Sequence, residues 1–165
     1  FARCPGLVGA EDVAKLRDEA NAYIARYQGD GPASGDDEHR VHCVRESSGA
    51  VRSLFAMHRE IEAHRQAIRL PQIAGPLEQI LGGDAYVFHS KVNIKEAFAG
   101  TVWLWHQDYG YWQHDGVDDR MASILIMLDR TTIHGGVYCL YQDHIVGAYS
   151  IITAMIKPPT INSGV

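Results

Sequence analysis

The glycine pair Gly82-Gly83 divides this chain into two stretches of different periodicity, and that change constrains the fold more than any other feature. Before it, apolar residues recur at helical spacing. Val13, Leu16, Ala20, Tyr23 and Ile24 form one stripe among Lys, Arg, Asp and Glu, which predicts an amphipathic helix over Glu11–Tyr27. Residues 29–37 are rich in Gly, Asp and Ser and read as a loop. Residues 36–53 are polar, with no clear period, and residues 55–68 have room for one or two helical turns. Pro71 suits the first turn of a further helix running to about Leu81 and stopping at the glycine pair.

After Gly83 the pattern is that of strands. Residues 85–94 alternate, with Tyr86, Phe88, Val92 and Ile94 apolar, and Thr101–His106 is aromatic and β-branched. Met121–Leu128 is a continuous apolar run short enough for a buried strand, and Val137–Tyr141 and Tyr149–Ile156 are similar. Ala99-Gly100, Asp115-Gly116, Gly135-Gly136 and Pro158-Pro159 supply the turns. Helices followed by about five or more short strands predict a mainly β fold with flanking helices, a sandwich or barrel with helical packing on one side. One domain is expected over 1–165, helical to about residue 83 with a β core beyond it.

The net charge of −5 offers no basic field to nucleic acid or to an anionic membrane. No apolar run approaches the roughly 18 residues that span a bilayer. Phe1-Ala2-Arg3-Cys4-Pro5 is not a signal peptide, and Cys4, Cys43 and Cys139 form no CxxC pair, so reduced thiols in a cytoplasm are expected. The chain opens without methionine and closes on Asn162-Ser163-Gly164-Val165, so it is expected to be incomplete at its ends and in its loops.

The chemistry centres on His106-Gln107-Asp108, at the end of the strand predicted over Thr101–His106. Side chains two apart on a strand share a face, so an imidazole and a carboxylate there can converge on one metal. With a second histidine they would form the two-His, one-carboxylate triad of non-haem iron(II). Spacing alone leaves a second option, a hydrogen-bonded strand histidine beside a turn aspartate. With nine His and twelve Asp in the chain, an HxD arises by chance about 0.6 times.

The flanking residues narrow this. Phe88-His89-Ser90-Lys91-Val92-Asn93-Ile94-Lys95, then Phe98 and Gly100, Trp105-His106-Gln107-Asp108, Trp112 and Asp115-Gly116 resemble the phytanoyl-CoA dioxygenase family, nearest its ectoine hydroxylase-like branch. Looser similarity extends from Pro5-Gly6-Leu7 to Asp143-His144. The resemblance implies a double-stranded β-helix (a jelly roll, cupin-like) binding Fe(II), with 2-oxoglutarate and O2 as co-substrates. It implies hydroxylation of a small molecule with release of succinate and CO2. Because the family's halogenating members replace the carboxylate ligand with a small residue, Asp108 points to hydroxylation. By the same resemblance His106 and Asp108 hold the metal, Asn93 and Trp103 line the 2-oxoglutarate pocket, and His89 and Trp112 face the substrate. His89 stands where ectoine hydroxylase has a substrate-binding glutamine, which argues against ectoine itself.

The triad does not close within these motifs. Lys157 falls where the family has its distal histidine, and the arginine that pairs with 2-oxoglutarate would lie beyond Val165. Three explanations stay open: intervening loops are absent from the sequence, the lysine is genuine and iron binding is poor, or His144 ligates in a rearranged site. A non-catalytic jelly-roll binding protein is the rival function. Substrate identity and oligomeric state are left open.

Overall fold

A computed structural model describes residues 2–26, 43–95, 100–106, 108–115, 120–130, 137–140, 143–146 and 149–156, the last three stretches by their backbone only. Helix α1 (Ala10–Arg26) begins with Glu11 and Asp12, whose charges suit the positive end of the helix dipole. It buries Leu16, Ala20 and Tyr23, one stripe at helical spacing. Strands β1 (Cys43–Arg45) and β2 (Val51–Phe55) form a hairpin whose turn closes on Gly49, at φ 88°. Two short helices, α2 (Met57–Glu60) and α3 (Glu62–Ala67), precede α4 (Pro71–Leu81). Pro71 opens α4, and Gly82 closes it in the left-handed conformation, its amide and that of Gly83 both donating to the Glu78 carbonyl.

Strand β3 (Ala85–Asn93) follows, then α5 (Asp108–Trp112) with a 3₁₀ turn over Gln113–Asp115, then β4 (Met121–Met127), β5 (Val137–Leu140), β6 (Asp143–Val146) and β7 (Tyr149–Ile156). Five strands make one antiparallel sheet in the order β1-β2-β3-β7-β4, and β5 and β6 form a separate hairpin. The described residues combine helices and strands, the strands of the larger sheet antiparallel to their neighbours with helices packed on one side, and two strands, β1 and β2, lie within the part expected to be helical. Leu54 and Val92, paired across β2 and β3, and Ile126 on β4 are buried in one core with Leu16, Met57, Ile73 and Leu77 of the helices. Among the described residues, no helix is long and apolar enough to cross a membrane.

The register fixes where the chemistry lies. β7 runs between β3 and β4 and is antiparallel to both, so β3 and β4 are parallel to each other. β3 ends with Asn93 opposite Tyr149, whereas β4 begins with Met121 opposite Met155, at the other end of β7. Parallel strands need a long crossover. The chain between β3 and β4 is that crossover, and its described residues 100–106 and 108–115 lie on the sheet face away from the helices, bringing Trp103 over Arg52 and Lys91, and Trp112 against Phe88 and His89.

Two expectations need correction here. The strand predicted over Thr101–His106 is not one: these residues have no ladder partner among the described residues, and all six are exposed. Their backbone groups are satisfied otherwise. The Thr101 amide donates to Glu46, its carbonyl accepts from Lys95, and the Leu104 carbonyl bonds His106. Residues 43–53, left ambiguous from sequence, carry β1 and most of β2, and Phe55, expected to open a helical stretch, ends β2 instead.

Candidate active site

The crossover and the sheet face enclose a cavity of about 490 Å³ lined by Arg52, Phe55, His89 and Lys91 from β2 and β3, and by residues 102–104, His106, Asp108, Tyr111 and Trp112 from above. On β3, His89 and Lys91 point to the cavity and alternate with Ser90 and Val92, which are buried against the helices. The Ser90 hydroxyl sits 2.5 Å from Nδ1 of His58 on α2. Phe55 and His89 also wall a neighbouring cavity of about 410 Å³.

His106 and Asp108 meet although they lie on no strand. Asp108 opens α5, and its Oδ1 is 3.4 Å from His106 Nε2, each side chain 29% exposed. His106 Nδ1 lies 2.6 Å from the Leu104 carbonyl, which can only accept, so Nδ1 carries the ring proton. The Nε2 lone pair then faces a carboxylate oxygen, so a metal ion placed between them would meet two donors. Two donors cis on one ion, with bonds of about 2.1 Å, sit about 3 Å apart, close to the spacing seen here. A ring N–H held by a backbone carbonyl is also how metal-ligating histidines are commonly oriented. The donor pair therefore fits a divalent metal.

The surroundings are cationic and aromatic. The Arg52 guanidinium lies 4.0 Å from the centroid of Trp103, and Lys91 Nζ lies 5.4 Å from it. Burial pushes the Lys91 amine down, against the opposing pull of Asp108. The His89 imidazole is pushed down to about 4, first by burial and then by the Lys91 charge, so it is neutral at ordinary pH and offers one donor and one acceptor. It is ringed by Phe55 at 5.4 Å and Trp112 at 5.7 Å.

Of the six site residues expected from sequence, His89, Trp103, His106, Asp108 and Trp112 line this one cavity. Asn93 does not: it is 1% exposed, and its Oδ1 accepts from the Ser53 hydroxyl at 2.7 Å, tying β2 to β3. Among the described residues no third His, Cys, Asp or Glu joins His106 and Asp108 in a metal-sized cluster. Lys157 lies outside the described residues, and for His144 only the backbone is described, opposite Cys139 in the β5–β6 hairpin. Sequence reasoning missed Arg52 and Phe55, and it named Lys91 only as part of a motif. Lys91 had a usable signal, since it sits two residues from His89 on the same strand face. Arg52 was hidden in a stretch not read as a strand.

A model of the phytanoyl-CoA dioxygenase (PhyH) family matches residues 1–142. The chain belongs to the phytanoyl-CoA dioxygenase family. Within it, the chain is 42% identical over 96 residues to L-proline trans-4-hydroxylase of Streptomyces griseoviridis, covering 56% of this chain and 35% of that protein. It is 31% identical over 147 residues to the ectoine dioxygenase of Streptomyces avermitilis, covering 87% of this chain and 48% of that one. The chain thus spans between about a third and half of the length of these family members. Its fold is that of EctD from S. alaskensis. The structure of EctD with bound Fe superposes with a TM-score of 0.70 at 18% identity, over 93% of this chain and 71% of that one. The structure with 2-oxoglutarate and 5-hydroxyectoine gives 0.66 at 20% identity, over 94% and 66%.

Proposed function

We propose that this chain carries the iron site of a non-haem iron(II), 2-oxoglutarate-dependent oxygenase that hydroxylates a small amino-acid-derived molecule. The observation that carries this is the His106–Asp108 pair, its two donor atoms 3.4 Å apart with the other ring nitrogen committed to a carbonyl. The names of the relatives, a proline hydroxylase and ectoine dioxygenases, and EctD solved with Fe and with 2-oxoglutarate, support the same chemistry. Bound iron(II), 2-oxoglutarate and O2 together supply the oxidising power, giving succinate, CO2 and a hydroxylated C–H bond.

The chain's own residues do the rest. His106 and Asp108 hold the metal. Trp103, flanked by Arg52 and Lys91, forms a cationic wall suited to carboxylates, of the co-substrate or of an amino-acid substrate. Neutral His89 and the Trp112 face orient the substrate. Asn93 serves the pocket from below, by locking β2 to β3 through Ser53. We take the antiparallel sheet as one wall of a double-stranded β-helix, and the third ligand as belonging either to the stretch beginning at Lys157 or to His144.

Anaerobic addition of iron(II) and 2-oxoglutarate tests this. A weak visible charge-transfer band is expected, and Asp108→Ala should weaken metal binding by at least about 100-fold, beyond the usual cost of losing an outer partner. Folding should be unchanged by that substitution, since the side chain is 29% exposed. Absence of any band from the unaltered chain would favour the rival, a binding protein that has lost the third ligand. His144→Ala with the band intact assigns that ligand to the stretch at Lys157.

A further inference from the structure

We propose that Glu46, in the β1–β2 turn, is the positioning residue of the metal-binding crossover: through Thr101 and Arg52 its carboxylate sets where His106 and Asp108 sit above the sheet. This rests on the iron assignment proposed above. Glu46 is far from the two ligands in sequence, yet its side chain is only 4% exposed. Burying a carboxylate is costly unless it is fully engaged. Its partners are unusually concentrated. Oε1 accepts from the Thr101 amide at 3.0 Å, and the Thr101 hydroxyl lies 3.1 Å from Oε1 and 2.9 Å from Oε2. The Lys95 amine bonds the Thr101 carbonyl from the other side. Every polar group of Thr101 is therefore held, near the start of the described stretch 100–106.

A second arm reaches further along. Arg52 Nε lies 3.9 Å from Glu46 Oε1, an ion pair rather than a hydrogen bond, while its guanidinium covers Trp103 at 4.0 Å. The Trp103 ring in turn stands 6.3 Å from that of His106. One buried carboxylate thus anchors residue 101 directly and residue 103 through Arg52, in a stretch that has no strand ladder among the described residues. Sites work when such supports fix ligand geometry to within a fraction of an ångström.

Glu46→Ala, Glu46→Gln and Thr101→Val, each in the full chain, test this by two readouts. One is hydrogen exchange of the metal-free protein, and the other is cobalt(II) affinity from its absorption spectrum. Glu46→Ala should speed exchange across residues 101–112 while β3 and β4 keep their protection, and should raise the cobalt Kd about tenfold. Glu46→Gln keeps an oxygen for the Thr101 amide and should restore most of both. Wild-type exchange and affinity in Glu46→Ala would overturn the proposal, as would loosening of β3 and β4 together with the crossover. Should Glu46→Ala not fold, Thr101→Val decides: weakened cobalt affinity supports the role and unchanged affinity overturns it. If the unaltered protein itself binds no cobalt, the iron assignment fails separately, and exchange over 101–112 alone judges Glu46.

Discussion

His89 and Lys91 stand on β3 with a paired strand on each side and a helical layer behind. His106 and Asp108, which face them across the cavity, stand on a crossover with no ladder partner among the described residues. On the first wall, geometry comes from backbone hydrogen bonds and from buried Leu54 and Val92. On the second it comes from side chains: Glu46 on Thr101, Arg52 on Trp103, and the Leu104 carbonyl on His106. The first wall is coupled to global stability, because it cannot move without breaking the core. The second should loosen while the fold stays intact, which suits the proposed role of this segment in admitting a metal and co-substrates.

The sharpest way to break this contrast is through the core. Leu54 is fully buried, paired with Val92 and packed against the helical layer. Leu54→Ala should cost about 2–5 kcal/mol of unfolding free energy, measured by denaturant titration. The fraction that remains folded should bind metal normally. A weakened site in that folded fraction would mean the two walls are not separable.

A smaller effect comes from the helices behind the first wall. His64 on α3 is 3% exposed, and neither ring nitrogen has a partner among the described residues. Burial, then the charge of His58, pushes its imidazole down to about 4. Between the ordinary value of 6.5 and about 4, the unfolded chain binds a proton that the folded chain refuses, so stability falls with pH through that window and levels off below it. His64→Leu fits the apolar surroundings, removes two unpaired polar atoms and should add about 1–2 kcal/mol at neutral pH. It should also flatten part of the acid-side loss, with His58 and His89, both pushed down by burial, keeping the remainder. An unchanged slope of stability against pH between 6.5 and 4 would show that His64 is not so confined.

The same contrast explains what could be read from the sequence. α1, α4, β3 and β4 were legible because each has one apolar face against a core, and periodicity reports that directly. β2 was not. Val51, Ser53 and Leu54 are all buried, Arg52 and Phe55 line the cavity, and Ser53 is matched to Asn93 rather than to an apolar neighbour. The register of β2 with β1 also shifts at Arg52, so buried and cavity-lining residues do not alternate along it. Thr101–His106 erred the other way: its aromatic and β-branched residues have strand propensity, but propensity reflects a fit to a pleated surface, and here the side chains serve the cavity. The His106–Asp108 pair, proposed above as metal ligands, could be picked out as a motif, since a spacing of two survives the change from strand to helix start. Arg52 and Glu46, proposed to position it, were not, because their contacts with Trp103 and Thr101 exist only once β1 and β2 are folded beside residue 101.

The finest probe of the second wall is Trp103. The residue is 37% exposed, and its ring takes Arg52 on its face, with Lys91 more distant. A cation over an exposed indole contributes about 0.5–1 kcal/mol. Trp103→Leu keeps an apolar side chain but removes the π face, so that amount should be lost from the ordering of the crossover and not from the core. The expected outcome is a two- to fivefold weaker metal affinity, the equivalent of about 0.5–1 kcal/mol, with the denaturation midpoint unmoved. Combining it with Glu46→Ala separates two cases. If Arg52 transmits the hold of Glu46 to Trp103, the double variant should lose less than the sum of the single losses, because the second change removes a contact the first has already loosened. Strict additivity would mean that Thr101 alone carries the link, and that Arg52 serves the cavity wall independently.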